Sequence, residues 1–357
     1  MKNIRFKLFK SWLVWGFIII SIFLGFQYII YKVESADPSS GINSFANALW
    51  YGIVTVATVG YGDVVPVTTT GRILGSILVL STIALMGLFI SQFTNKIRQI
   101  MENKKLGYLG TKMQNHCVVI GWDSFALNVT KWIVESDKQV AIITDNKNDI
   151  DLIYNKFGDK KVFVLYSDYL NFDNYKLVNI NKSSSVFINF EDDSDTLVKL
   201  LNIKRQFPDL NYIVSLNNSD LKETFQSAGV TFSISKNEVT SKLVASYNFE
   251  PDVAFFTENI MSTAVAEDDH DLVEYKVNDD NTLINKNYID AFISLKKDFN
   301  SVLMGISRKV DNEFKVFKNP QSDLKIITGD YLIVLADGKS KKLLSKEFDE
   351  NEGRNEI

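Results

Sequence analysis

Thr58-Val59-Gly60-Tyr61-Gly62-Asp63 decides how this chain is read, because of what stands on either side of it. Directly before it, Phe45 to Ala57 is an apolar run of 13 residues, too short to cross a bilayer but long enough for a re-entrant helix. Asn43 or Ser44 can cap its start. Further out lie two stretches without charge, Trp12 to Tyr31 with 20 residues and Ile73 to Phe93 with 21. At about 1.5 Å per residue, a helix of that length matches the roughly 30 Å hydrocarbon core of a bilayer. The first stretch is too long for a signal peptide, and no small-residue cleavage site follows it. Lys2, Arg5, Lys7 and Lys10 precede the first span, and Lys96, Arg98, Lys104 and Lys105 follow the second. Both ends are therefore expected on the cytoplasmic side, with residues 32–72 facing outward. Trp12, Trp15, Tyr28 and Tyr31 stand near the ends of the first span, where amphipathic rings favour the interface. Non-helical backbone at membrane depth is tolerated only where protein buries it or it lines a wet cavity. A short helix feeding a Gly-x-Gly strand between two spans fits that exception.

Composition narrows the rest. Of 357 residues, 46% are hydrophobic and 23% charged, which excludes a disordered chain. A net charge of −4 gives no global attraction to nucleic acid. One cysteine, Cys117, excludes an internal disulfide, and two histidines, His116 and His270, exclude a histidine-based metal cluster. No long uncharged stretch follows residue 93. A short membrane module is thus fused to a soluble one.

After the polar stretch Thr94 to Asn115 the pattern changes to buried-type strands at 117–120, 140–144, 162–166, 186–189, 212–216 and 231–234, alternating with helices. Six such strands predict a parallel sheet covered on both faces, of Rossmann-like type, although their order cannot be read from spacing. The dinucleotide fingerprint is partial. Gly121 matches the first glycine and Ala126 the third position, but Asp123 replaces the second glycine, where a side chain and a negative charge oppose a pyrophosphate. Asp145, 24 residues after Gly121, is placed to accept hydrogen bonds from ribose hydroxyls. Either the fold has an altered pocket or it binds an adenosine-type ligand, with NAD ranked no higher than a mononucleotide.

The stretch from Ala48-Leu49-Trp50-Tyr51 through Thr58 to Asp63 and Pro66 resembles the pore region of potassium channels. The filter assignment rests on that resemblance. It implies that Thr58, Val59, Gly60, Tyr61 and Gly62 form the selectivity filter for K+, with backbone carbonyls and the Thr58 hydroxyl replacing the ion's hydration shell. Gly60 and Gly62, lacking Cβ, can take the left-handed backbone this requires. Trp50 or Tyr51 would brace the filter from behind, with Asp63 bonded to such a ring donor. Many relatives carry a pore-helix carboxylate where Val54 stands, so that brace is absent. The usual hinge glycine falls at Thr82, which leaves Gly87 as the better bending point; close helix packing is the alternative role for Gly75 and Gly87. No segment remains for a voltage sensor.

A Rossmann-like domain behind such a pore resembles the RCK (KTN, TrkA-type) regulatory domain of prokaryotic channels, from about His116 to Phe348. Ser167-Asp168 stands where relatives have Gly-Asp, which adds Asp168 to the nucleotide-binding candidates. Helix Lys236–Phe249 and the Pro251 segment match the crossover that pairs two RCK domains, and residues 271–348 a smaller α/β C-terminal lobe. The expected organisation is a two-transmembrane pore domain at 1–100 and a linker at 101–114. An RCK N-terminal domain with crossover helix at 115–250, a C-terminal lobe at 251–348 and a disordered tail at 349–357 complete it. In calcium-gated relatives the ion sits at positions matching Asn189, Ser215 and Asn217, all uncharged here, so that site is expected to be lost. Two acidic clusters, Glu191, Asp192, Asp193 and Asp195, and Glu267, Asp268, Asp269 and Asp271, read as solvated turns or helix starts, with a divalent cation such as Ca2+ as the alternative.

The resemblance implies a homotetrameric, multi-pass channel of the cell membrane whose RCK lobes form an octameric ring. Soluble lobes started at Met113 could complete that ring; an ordinary linker methionine is the alternative. A membrane-anchored NAD-dependent oxidoreductase is disfavoured by Asp123 and by the absence of a separate catalytic domain. A constitutively open pore with RCK lobes serving only assembly is the remaining competitor. No enzymatic activity and no nucleic-acid partner are expected.

Overall fold

Apolar length decides the first elements. In the computed structural model, which describes residues 2–261, 266–311, 313–349 and 352–354, with side chains from residue 16 onward, helices α1 (Lys2–Glu34) and α3 (Thr69–Lys105) are both long and apolar enough to cross a membrane. Trp12, Trp15 and the first basic residues lie outside the described side chains. Between the two helices lies α2 (Phe45–Val56), whose start is capped by Ser44, its hydroxyl accepting from Asn47 N at 3.2 Å. The apolar helices leave large side chains uncovered, Leu80 at 68% for example, as expected where lipid or further subunits are the solvent.

The chain divides into two compact units, residues 1–101 and 102–357. The stretch expected to be a linker, 101–114, is structured. Helix α3 runs on to Lys105, because 94–105 contains neither glycine nor proline, and it stops before Gly107 at φ +81°. Residues 106–115 then strap onto the second unit. Leu106 is buried and its carbonyl accepts from Tyr166 N at 3.0 Å; Thr111 N donates to Leu177 O and Asn115 N to Lys182 O, each at 2.8 Å. Met113 O accepts from the Asn179 amide at 2.7 Å.

Six parallel strands follow: β1 (Cys117–Ile120), β2 (Val140–Thr144), β3 (Val162–Tyr166), β4 (Ser185–Ile188), β5 (Tyr212–Leu216) and β6 (Phe232–Ser235). Their order is β3-β2-β1-β4-β5-β6, the Rossmann arrangement, with the reversal between β1 and β4. Helices α4 (Ser124–Glu135), α5 (Lys147–Phe157), α6 (Phe172–Tyr175), α7 (Asp193–Gln206) and α8 (Lys222–Ser227) connect them. Strands β1 and β2 are buried at every residue, which is why they read as unbroken apolar runs. After β6 come α9 (Lys236–Phe249) and α10 (Pro251–Ile260), which leave Phe249 and Phe255 exposed.

A separate antiparallel sheet completes the chain. Its strands are β7 (His270–Lys276), β8 (Val302–Val310), β9 (Glu313–Lys318) and β10 (Tyr331–Asp337), in the order β7-β10-β8-β9, with α11 (Tyr288–Phe299) and α12 (Gly338–Glu347). Alternate residues of β7 and β10, including Val273, Tyr275, Leu332 and Val334, face its core. Beneath the Gly329 turn, Asp330 is fully buried and takes both Arg308 Nε (2.7 Å) and Nη2 (2.8 Å). Part of the expected disordered tail is also docked. Gly353 N donates to Glu274 O at 2.9 Å, and the Arg354 guanidinium bonds Glu274 and lies over the rings of Phe314 and Tyr331. One backbone N–H and the Arg354 side chain make that anchor, so it left no periodic signal. Residues 350, 351 and 355–357 of the tail lie outside those described.

Candidate functional site

The C-terminal end of α2, which carries the helix's partial negative charge, leads into the quoted loop. There Val54 O accepts from both Val59 N (2.9 Å) and Gly60 N (3.1 Å), turning the chain back on the helix. Thr58, Gly60 and Gly62, every second residue, take φ of +58°, +55° and +76°. Thr58 was not foreseen in this role. A β-branched residue rarely adopts positive φ, and such strain persists where the surroundings over-determine it.

Two aromatic side chains of α2 divide the support. Trp50 Nε1 donates to Asp63 Oδ2 at 2.9 Å, and its ring lies parallel to Tyr61 at 5.9 Å. Trp50, rather than Tyr51, is therefore the ring donor. Tyr51 is buried and wedges against α3, where a Cβ on Gly75 would come within 2.6 Å of its hydroxyl. That close approach gives Gly75 a packing role. Gly87 has no neighbour within 4 Å of such a Cβ, and α3 continues unbroken past it. At Thr82 the hydroxyl is satisfied by Leu78 O at 2.8 Å, a back-bond that tends to bend helices.

One supporting residue escaped sequence reasoning. Glu34, the last residue of α1, is fully buried and accepts from Ser40 Oγ (2.7 Å), Val67 N (2.9 Å), Thr68 N (3.1 Å) and Thr68 Oγ1 (2.6 Å). A carboxylate at the end of a span reads as its boundary, and only the fold brings residues 67–68 to it.

In the second unit, Gly121, Asp123, Asp145 and Asp168 lie at the carboxyl ends of the adjacent strands β1, β2 and β3, at the reversal point where such sheets bind ligands. Gly121 has φ +90°, and a Cβ there would be 2.0 Å from Asn189 O. Ala126 is fully buried. Asp145 is exposed, and its N–H is held by the Tyr169 hydroxyl at 3.3 Å. Asp168 is exposed and caps its own turn through Leu170 N at 2.8 Å. Asp123 caps α4, accepting from Ala126 N at 2.8 Å, and also accepts from the Asn189 amide at 2.8 Å. The end of β2 is thus open at the exposed Asp145, whereas the start of α4 already holds a carboxylate.

Of the positions that the resemblance matches to calcium ligands, Ser215 joins this network through Asn189, whereas Asn217 bonds elsewhere. Ser215 Oγ donates to Asn189 Oδ1 at 2.7 Å, and Asn217 Nδ2 donates to Glu191 O at 2.6 Å. The acidic clusters are internally engaged. Asp192 caps α7, Asp193 accepts from Asn217 N and Asn218 N, and Asp195 pairs with Lys199. In the later cluster Glu267 pairs with Lys342, Asp269 accepts from Ala266 N, the Asp268 carbonyl meets His270, and Asp271 pairs with Lys341. Among the described residues no three His, Cys, Asp or Glu side chains converge as metal ligands. Burial pushes the Cys117 thiol up to about 11, so it is inert at neutral pH.

Comparison with known proteins defines the class first. Residues 9–99 match the ion channel family model and residues 117–236 the TrkA-N domain model. The chain is a homologue of potassium channels that carry a TrkA-N (RCK) domain. More particularly, it is 25% identical over 333 residues to the calcium-gated potassium channel TvoK of Thermoplasma volcanium, covering 90% of each chain. The putative potassium channel protein YugO of Bacillus subtilis is 27% identical over 251 residues, covering 66% of this chain and 74% of the relative. Among solved structures, the GsuK channel bound to NAD aligns with a TM-score of 0.43 and 15% identity, over 96% of this chain and 60% of that one. These relatives are channels rather than enzymes.

Proposed function

We propose that this chain is one subunit of a homotetrameric, potassium-selective channel of the cell membrane, with Thr58–Gly62 as the filter and both termini cytoplasmic. The observation that carries this reading is the backbone of 58–62: left-handed residues at every second position, braced by the Trp50–Asp63 bond, between two helices able to span. Alternating backbone hand turns successive carbonyls to one side, as a dehydrated cation needs. In liposomes, purified channel should pass K+ far faster than Na+; equal leakage of both would falsify the filter reading.

The RCK lobes, paired through α9 and α10 into an octameric ring, gate the pore through α3 and the 106–115 strap. The effector is a nucleotide, either NAD or an adenine mononucleotide. TvoK is calcium-gated by name, but calcium ranks second here because Asn189, Ser215 and Asn217 bring no carboxylate. Shifting a gate from mostly shut to mostly open takes about 5.5 kcal/mol of differential binding, or roughly 0.7 kcal/mol for each of eight lobes. A weak site therefore suffices. Free lobes started at Met113 would add a shorter band on an immunoblot against the C-terminus. The second reading, an open pore whose ring only assembles, draws support from Asp123 in the phosphate position. Excised patches separate the two: open probability unmoved by nucleotides or divalent cations on the inner face leaves assembly as the ring's role.

A further inference from the structure

We propose that the Asp123 carboxylate is an internal anion that closes the phosphate seat of the Rossmann cleft and is displaced by a ligand phosphate, and that this displacement hands the tether on the crossover helix α9 from the loop to the ligand. The proposal rests on the regulatory reading of the cleft given above.

Three donors converge on this carboxylate: the Ala126 backbone N–H in the first turn of α4, the Asn189 side-chain amide, and the Lys236 ammonium at 4.0 Å. A helix N-terminus, an amide and a cation make up a donor set for an anion, and Asp123 supplies that anion from within the chain. The set is held from behind. Asn189 and Ser215 are 2% and 1% exposed, and Ser215 Oγ fixes the Asn189 amide by bonding its oxygen. Lys236 is held from above, its ammonium 4.6 Å from the centre of the Phe125 ring and its side chain 18% exposed. Asp123 itself is 43% exposed, so solvent reaches it and its side chain can swing out without unfolding α4.

Lys236 is the first residue of α9. Its attraction to Asp123 therefore ties the phosphate loop to the helix that resembles the ring's pairing element. An incoming phosphate competes for Ala126 N–H and Lys236, and the Asn189 bond is lost with the carboxylate. Occupancy of the cleft and the partner that holds the start of α9 become one equilibrium, with the side chain at position 123 setting its midpoint. The residue that degrades the fingerprint is then a brake on the site.

The test is calorimetric titration of the full-length channel in detergent with ADP and with NAD, comparing wild type, Asp123→Gly and Asp123→Asn. Glycine is nearly as good a cap as aspartate and removes both the charge and the side chain; asparagine keeps the cap and removes the charge. Asp123→Gly should bind ADP about tenfold tighter than wild type, the equivalent of about 1.4 kcal/mol, with Asp123→Asn between them. Hydrogen exchange of the amides in 236–249 should be raised in Asp123→Gly without ligand, where Lys236 has lost its partner, and should fall again when ADP binds that variant. Equal ADP affinity in all three proteins overturns the brake, and unchanged exchange overturns the link to α9. Binding to none of them, with selective K+ flux intact in the same samples, overturns the proposal while leaving the channel reading in place. Loss of flux in wild type would instead strike the channel reading itself.

Discussion

The filter loop and the Rossmann cleft both depend on glycines with positive φ, yet for opposite reasons. Around Gly60 and Gly62 there is open space, with no atom within 4 Å of where a Cβ would stand, so only backbone conformation demands glycine. At Gly121 the Asn189 carbonyl would be 2.0 Å from a Cβ, so conformation and packing demand it together. In the proposed reading the first region works through main-chain atoms, so a change of backbone should be costly there. Side chains line the second, where Asp123 stands at the start of α4 beside the uncharged Asn189 and Ser215.

Gly60→Ala tests that contrast most severely. It should abolish selective K+ flux in liposomes while the assembled ring elutes unchanged on size exclusion, because the added Cβ opposes φ +55°. Robust selective flux would break the comparison. Next in size is Arg308→Ala, which leaves the Asp330 carboxylate buried without its guanidinium and should cost the C-terminal lobe about 3–5 kcal/mol. Chemical denaturation reads that loss, and ion selectivity in the same protein should not move. Glu34→Ala is the matching lesion in the pore, removing the acceptor of four hydrogen bonds. It should destabilise the tetramer by on the order of 3 kcal/mol and shorten openings in single-channel records. Trp50→Phe deletes only the bond to Asp63, for about 1 kcal/mol, and should loosen K+ over Na+ preference without stopping flux.

The smallest effect concerns pH and the cytoplasmic unit alone. Burial holds the His116 imidazole below its ordinary 6.5, against the bond to Val178 O that favours the charged form. As the pH falls below about 6.5, the unfolded chain takes up a proton that the folded one resists, so the lobe's melting temperature should drop; above 6.5 this group adds no slope. His116→Gln should flatten the profile, and an unchanged acid slope would remove His116 as its source.

Legibility followed the same division. Both long apolar helices, the short one between them and all six parallel strands could be read because apolar length and runs of β-branched residues are local signals. Ser44 as the cap was one of two options, and the structure chose it. Trp50 over Tyr51 could not be chosen from spacing, since adjacent residues on a helix point in different directions and only the packing of Tyr51 on Gly75 separates them. The polar segment 94–115 misled because charge suggests a linker, whereas its first part continues α3 and the rest is fixed by backbone bonds to β3 and beyond.

The amino-acid order alone established two helices long and apolar enough to cross a membrane, a short apolar helix between them and a doubly wound sheet behind, because hydrophobic length and periodicity act over neighbouring residues. Tertiary structure alone decided that Glu34 would serve residues 67–68, that Asp123 would occupy the seat at α4 and face Lys236, and that Arg354 would anchor the tail. Glu34 and Val67 lie 33 residues apart in the chain, and Arg354 and Glu274 lie 80 apart. A hydrogen bond or ion pair depends on positions in space, which no local pattern encodes.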